Sequence, residues 1–165
     1  MQLEGACHCG SVRFTVRSAQ PYPFNFCYCS ICRKTAGAGG YAINLGAASK
    51  TLEVEGEHAI SIYQARIKDP ATGEVQVSPG RRHFCKHCGS ALWLWDPRWP
   101  ELVHPFASAI DTPLPVAPEH THLMLGSKPE WVEVHAGPKD QRFDEYPQES
   151  LAEWHQRLGL ESREQ

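Results

Sequence analysis

Seven cysteines gathered into three short clusters constrain this 165-residue chain more than any other feature. The clusters are Cys7-His8-Cys9, Cys27-Tyr28-Cys29-Ser30-Ile31-Cys32 and Cys85-Lys86-His87-Cys88, or C-x-C, C-x-C-x-x-C and C-x-x-C. Thiolates this close in sequence can converge on one ion, whereas a disulfide usually joins distant segments. An odd count would also leave one thiol unpaired in a full disulfide framework. Seven divides into four and three. Four thiolates close a tetrahedral zinc site, and three leave one coordination position open. A closed site holds structure and an open one can do chemistry, so the count points to two Zn2+ ions with different jobs.

The flanking residues suggest the sorting. Cys85 and Cys88 bracket a tight turn and are followed by Gly89; Cys9 is followed directly by Gly10. Glycine relieves the residue after each turn of steric penalty. Cys7, Cys9, Cys85 and Cys88 therefore read as two half-sites of one four-cysteine centre, which would pin the N-terminus to the middle of the chain and contribute folding free energy directly. In the middle cluster, Cys27 and Cys29 lie on one side of an extended segment and Cys32 can close back through a turn. These three can ligate one ion locally, with water, substrate or a distant histidine as the fourth ligand. Arg33 and Lys34 follow at once, and Arg81 and Arg82 precede the third cluster. Cations there would offset the negative charge of a thiolate-rich zinc and receive an anionic substrate. The plainer readings are reduced core cysteines, a second structural zinc completed by histidine, a dithiol redox pair with one spare thiol, and arginines and lysines on a solvated face. His8 and His87 are expected to point away from the metal. His120 and His122 are expected on the surface or in the core rather than as ligands.

Length and composition set the frame. A chain of this length is expected to form one domain over 1–165, with its core about 3–147 and a helix about 150–159. A net charge of −3 argues against a dedicated nucleic-acid binder. No segment approaches the ~18 consecutive apolar residues of a membrane helix, and no apolar leader opens the chain. The expectation is a cytoplasmic protein, whose reducing surroundings favour metal over disulfide for clustered cysteines.

Short strands are expected throughout. Val12, Phe14 and Val16 alternate with Arg13, Thr15 and Arg17. Phe24–Phe26, Tyr41–Leu45, Leu52–Glu55, Ile60–Tyr63, Ala91–Trp95, His122–Leu125 and Trp131–His135 are further candidates, with one more near Val103–Ser108 inside a proline-rich loop. In Ala91–Trp95, alternation puts Leu92 and Leu94 on one face and Trp93 and Trp95 on the other. Gly56-Glu57 reads as a turn and Asp69–Gly73 as a hairpin tip. One helix stands out: Ser150 and Glu153 form a capping box, Leu151, Trp154 and Leu158 share a face, and Gly159 stops it. The residues thus describe a mainly β domain with metal sites at its turns.

Three stretches resemble a known family. Gly5-Ala6-Cys7-His8-Cys9-Gly10-Ser11-Val12-Arg13-Phe14, Cys27 to Lys34, and Phe84 to Leu92 are similar to the three motifs of the glutathione-dependent formaldehyde-activating enzymes, a family that includes centromere protein V-like proteins. The tail from His122 through Ser127-Lys128-Pro129-Glu130-Trp131 to Phe143-Asp144-Glu145-Tyr146-Pro147 is similar too. The resemblance implies a zinc-pinned β-tent of small antiparallel sheets. It implies structural zinc at Cys7, Cys9, Cys85 and Cys88, and catalytic zinc at Cys27, Cys29 and Cys32. It also implies a carbon–sulfur lyase that interconverts glutathione plus formaldehyde with S-(hydroxymethyl)glutathione. Arg33, Lys34 and Arg82 are the candidates to hold substrate carboxylates. The rival from another class is a non-catalytic, zinc-stabilised protein-binding module of the same fold. A sulfoxide reductase is a weaker rival, because no separate resolving cysteine lies outside the clusters.

Overall fold

A computed structural model describes residues 1–162. Its strands are β1 (Gln2–Ala6), β2 (Arg13–Arg17), β3 (Asn25–Cys27), β4 (Ala42–Ile43), β5 (Ala47–Ala48), β6 (Glu53–Glu55), β7 (Ile60–Lys68), β8 (Val75–Cys85), β9 (Ala91–Trp95), β10 (Leu102–Pro105), β11 (Thr121–Leu123) and β12 (Gln141–Arg142). Two helices accompany them, α1 (Ser30–Thr35) and α2 (Leu151–Leu158). The strands form three sheets, ordered β1-β2-β6, β5-β10-β9-β8-β7 and β12-β11-β3-β4. The first two are antiparallel throughout. The third is mixed, because β11 runs parallel to both β3 and β12 and only β3–β4 is antiparallel.

The apolar residues of β1 and β2 explain the first core. Leu3, Phe14 and Val16 alternate inward and pack against Leu92, Trp93 and Val103 of the five-stranded sheet. Phe14 meets Trp93 edge-on, with centroids 5.1 Å apart. Gly5 is required at this join: a Cβ there would lie 2.4 Å from the Ala109 carbonyl oxygen and 2.5 Å from the Phe14 ring. A second cluster lies on the other side of β9, where Ala91 and Leu94 pack against Cys27, Cys32, Ala42, Phe106 and Leu123. The five-stranded sheet therefore has the main core on one face and the middle cysteine cluster on the other.

Simple alternation in β9 fails at one place. The register with β8 shifts between His83 and Phe84, which pair with Trp93 and Ala91 and leave Leu92 as the extra residue. Leu92 accordingly joins Trp93 in the first cluster while Leu94 joins the second, so the expected Leu92/Leu94 face does not exist. Trp131–His135 is not a strand. The Lys128 ammonium takes the Pro129 and Val132 carbonyls at 3.1 and 2.7 Å, and Val132 N–H closes a turn on Pro129, so these groups are not free for a ladder.

The stretch 64–82 belongs to the β7–β8 hairpin, whose tip forms around Asp69. Its Oδ1 accepts the Ala71 and Thr72 N–H groups, each at 2.8 Å, and Gly73 takes φ 75°. At the C-terminus the capping box of α2 is present, with Ser150 and Glu153 each bonding the other's backbone N–H, and Gly159 ends the helix at φ 66°. Trp154 stacks on Phe24 at 3.7 Å between centroids, which seats α2 on the segment leading into β3.

Candidate metal centres and adjoining cavity

All seven cysteines are free thiols, gathered as two groups. The Sγ atoms of Cys7, Cys9, Cys85 and Cys88 lie within 4.8 Å of one another, and so do those of Cys27, Cys29 and Cys32. Tetrahedral zinc with Zn–S bonds of about 2.3 Å needs sulfurs about 3.8 Å apart. Cys7–Cys9 and Cys9–Cys85 stand at 3.5 and 3.7 Å, so the first group has the dimensions of such a site.

Two similar turns build that group. After β1, Gly10 N–H bonds the Cys7 carbonyl at 2.9 Å with Gly10 at φ 74°; after β8, Gly89 N–H bonds the Cys85 carbonyl at 2.8 Å with Gly89 at φ 75°. Each turn carries a serine two residues beyond its outer cysteine. Ser11 Oγ lies 3.2 Å from Cys9 Sγ, and Ser90 Oγ lies 3.2 Å from Cys88 Sγ. Hydrogen bonding with these serines favours the thiolate, lowering Cys9 and bringing Cys88 down to about 5. Cys85, enclosed at the inner side, is pushed up to about 11 by desolvation. Ser90 Oγ also accepts the His8 N–H at 3.1 Å, tying one turn to the other. Sequence reasoning passed over both serines, although the repeated Cys-Gly-Ser was their signal. His8 and His87 are exposed and lie outside the group.

The middle group sits where β3 runs into α1. Cys29 is the N-cap of α1, its Sγ accepting the Cys32 N–H at 3.3 Å. This short helix escaped the sequence reading because its six residues carry no apolar period and its cap is a cysteine. Hydrogen bonds from Cys27 and Cys32 hold the Cys29 thiol far below its usual range, while Cys27 is raised by the same contacts and by burial. No histidine, carboxylate or further thiol joins the group among the described residues.

A cavity of about 380 Å3 is lined by Thr35 of α1, Gly89, Phe106, and Tyr63, Arg82, His83, Phe84 and Ala91 of the sheet, and Ala91 and Phe106 also pack with Cys27 and Cys32. Register explains the sheet residues. Tyr63 pairs with Arg82 and Arg82 with Leu94; Ser61 pairs with Phe84 and Phe84 with Ala91, so two cross-strand rows share one face. Arg82 is 9% exposed, close enough to influence Cys32, and its Nε has no hydrogen-bond partner. Arg33 and Lys34 occupy the last turn of α1, half-buried and exposed respectively, and neither lines the cavity. Arg81 is exposed and lies over the Trp95 ring at 5.2 Å.

Behind the group, Tyr28 and His122 form a buried pair that sequence reasoning also missed. His122 Nε2 is 3.7 Å from Asp140 Oδ2, and Asp140 accepts the backbone N–H groups of His120 and Gly137 at 2.7 and 2.8 Å. Beyond them, the strap 143–145 bonds to Leu125, Gly126 and Met124, which follow Leu123, the register partner of Cys27. The strap brings Tyr146 into electrostatic reach of all three cysteines and Arg82.

Residues 2–127 match the family model described as glutathione-dependent formaldehyde-activating enzyme. A Halomonas elongata protein named "Putative glutathione-dependent formaldehyde-activating enzyme" is 65% identical over 161 residues, covering 98% of this chain and 99% of that protein. A crystal structure of a Rhodobacter sphaeroides protein is similar at 25% identity and a TM-score of 0.49, over 70% of this chain and 92% of that one.

Proposed function

Since the chain belongs to the glutathione-dependent formaldehyde-activating enzyme family, we propose that it is a zinc-dependent carbon–sulfur lyase joining a thiol to a small aldehyde. Glutathione and formaldehyde, named in the description of its Halomonas elongata relative, are the leading pair. The observation that carries this reading is the trio Cys27, Cys29 and Cys32, gathered without a fourth protein donor among the described residues and packed with Ala91 and Phe106, two residues that line a cavity. Cys7, Cys9, Cys85 and Cys88 hold a structural zinc, and the trio holds a second. Three soft thiolates fit zinc and leave one position for a guest.

Zinc there would supply a soft Lewis acid that favours the thiolate form of a guest thiol. The protein does the rest. Cys29, fixed as the cap of α1, orients the trio. Arg82 offsets its negative charge and receives a carboxylate, and Arg33 and Lys34 add positive charge at the end of α1 for an anionic thiol. The sulfur lone pair forms the C–S bond to the aldehyde carbon as the C=O π pair moves onto oxygen. That oxygen takes up the proton lost by the thiol, and the reverse reaction returns both. A reducing cytoplasm suits seven free thiols.

Proton NMR exchange measurements on glutathione and formaldehyde test the proposal. Protein loaded with both zincs should accelerate exchange with the adduct above the spontaneous rate. Cys29→Ser should remain folded by circular dichroism and lose the acceleration. Doubly loaded protein that leaves the spontaneous rate unchanged would remove the enzyme reading and favour the binding module.

A further inference from the structure

The least explained group near the cysteine trio is Arg82. A guanidinium cannot shed its charge at accessible pH, and burying it without an anion is costly. Yet Arg82 is nine-tenths buried, its Nε has no hydrogen-bond partner, and it enters no ion pair among the described residues. The arginines that do form ion pairs, Arg98 and Arg157, are far more exposed than Arg82. The trio gives Arg82 only diffuse compensation, since sulfur accepts hydrogen bonds weakly and metal binding would draw on the same electron pairs.

The cavity in front of it has a definite character. Arg82 is its one permanently charged lining residue, and Tyr63, Phe84, Ala91 and Phe106 form most of its wall, with Thr35, His83 and Gly89 completing it. Formaldehyde has no group that such a cation would select. Of the two carboxylates and one ammonium of glutathione, a single cation can match one carboxylate at a time.

We infer that this cavity is a carboxylate pocket, in which Arg82 takes a single carboxylate on a short apolar stem lying against Phe84, Ala91 and Phe106. The inference rests on the thiol-activating reading of the adjacent trio and narrows its substrate class. The substrate pair must present one carboxylate a few bonds from the reacting sulfur or carbon. A simple mercapto acid is enough to fill the pocket, and the remaining charges of a larger thiol stay outside. The carboxylate belongs either to the thiol or to the aldehyde, and the chemistry at Arg82 is the same for both.

The test has two arms on zinc-loaded protein. In the first, calorimetric titration compares 3-mercaptopropionate with 2-mercaptoethanol. In the second, adduct formation with 2-mercaptoethanol compares 4-oxobutanoate with butanal. A preference of about tenfold for the carboxylated member is expected in one arm, the scale of one charge-assisted hydrogen bond. Preference in the first arm places the carboxylate on the thiol; preference in the second alone places it on the aldehyde. Arg82→Gln should abolish the preference while zinc content stays at the parent value. Ala91→Leu, which narrows the stem's space without touching the cation, should reduce it. Equal binding within both pairs overturns the carboxylate pocket. So does an Arg82→Gln protein that loses zinc and weakens both members of each pair alike, since Arg82 would then serve only as counter-charge to the cysteines. If no thiol binds at all, the thiol-activating reading fails first, a result distinct from equal binding.

Discussion

Tyr28 and His122, 94 residues apart, share a buried hydrogen bond of 2.9 Å from the phenol oxygen to Nδ1. Tyr28 lies between Cys27 and Cys29 but on the opposite side of the extended segment, so the bond anchors the backbone that presents both thiols. His122 Nε2 lies 3.7 Å from the Asp140 carboxylate, beyond hydrogen-bond distance, so the Tyr28 phenol is the ring's one hydrogen-bond partner among the described residues. Burial pushes the Tyr28 phenol up to about 12, keeping it a neutral donor. Tyr28→Phe would leave a buried Nδ1 unsatisfied. Urea unfolding should show a loss of about 1–3 kcal/mol. A variant as stable as the parent would mean that the pair contributes nothing to the platform.

The two cysteine groups should differ in what they hold together. Cys9 and Cys85 lie 3.7 Å apart across 76 residues of sequence and join the ends of β1 and β8. Cys27, Cys29 and Cys32 span one turn. Cys88→Ser should therefore lower the thermal midpoint drastically or unfold the chain, because metal affinity at such a site is folding free energy. Cys29→Ser should melt within a few degrees of the parent. Equal collapse of both variants would make the middle group structural and withdraw the main support for catalysis.

Much of the site was legible because metal ligation is local in sequence: the C-x-C and C-x-x-C spacings place the thiols on turns whatever the surrounding fold. The capping box at Ser150 and the Asp69 turn were legible for the same reason. What escaped depends on partners far away. Tyr28 looks like an ordinary aromatic until His122 is placed beside it. The cavity walls follow from register, which pairs Arg82 with Tyr63 and Leu94, and from a bulge that no alternation pattern in Ala91–Trp95 announces. The parallel pairing of β11 with β3 has no local signature either, since three-residue strands carry too little period to reveal a neighbour.

His155 gives the fold a pH dependence of known sign. The ring is fully buried; Nδ1 donates to the Leu151 carbonyl at 2.7 Å and Nε2 accepts the Tyr22 N–H at 3.2 Å, a pattern only the neutral ring can satisfy. Burial lowers its pKa below the ordinary 6.5, with the Leu151 bond and the charge of Glu161 opposing weakly. The unfolded chain then binds the proton more readily than the folded one. Stability is fully present above about pH 6.5 and is lost as pH falls through the lower folded value. Thermal midpoints measured from pH 8 to pH 5 should fall, with buried His122 and half-buried His104 adding to the slope in the same direction. His155→Leu should be less stable at pH 8 and show a shallower fall. A slope identical to the parent's would place the acid sensitivity in the other histidines.

Metal content should resolve the two groups in order. Protein prepared under reducing conditions is expected to carry two zincs per chain, one for each cysteine group. A chelator can attack the trio through its open position, whereas the four-cysteine site offers no vacant place and must first lose a sulfur. Stepwise chelation, followed by elemental analysis and circular dichroism, should therefore remove one equivalent with the spectrum intact. The second equivalent should leave more slowly and together with β structure. Simultaneous loss of both metals with unfolding would tie the trio to the fold as tightly as the four-cysteine group. A starting value of one zinc, with three thiols titrating freely in the native protein, would leave Cys27, Cys29 and Cys32 without a metal and the carbon–sulfur chemistry without its activator.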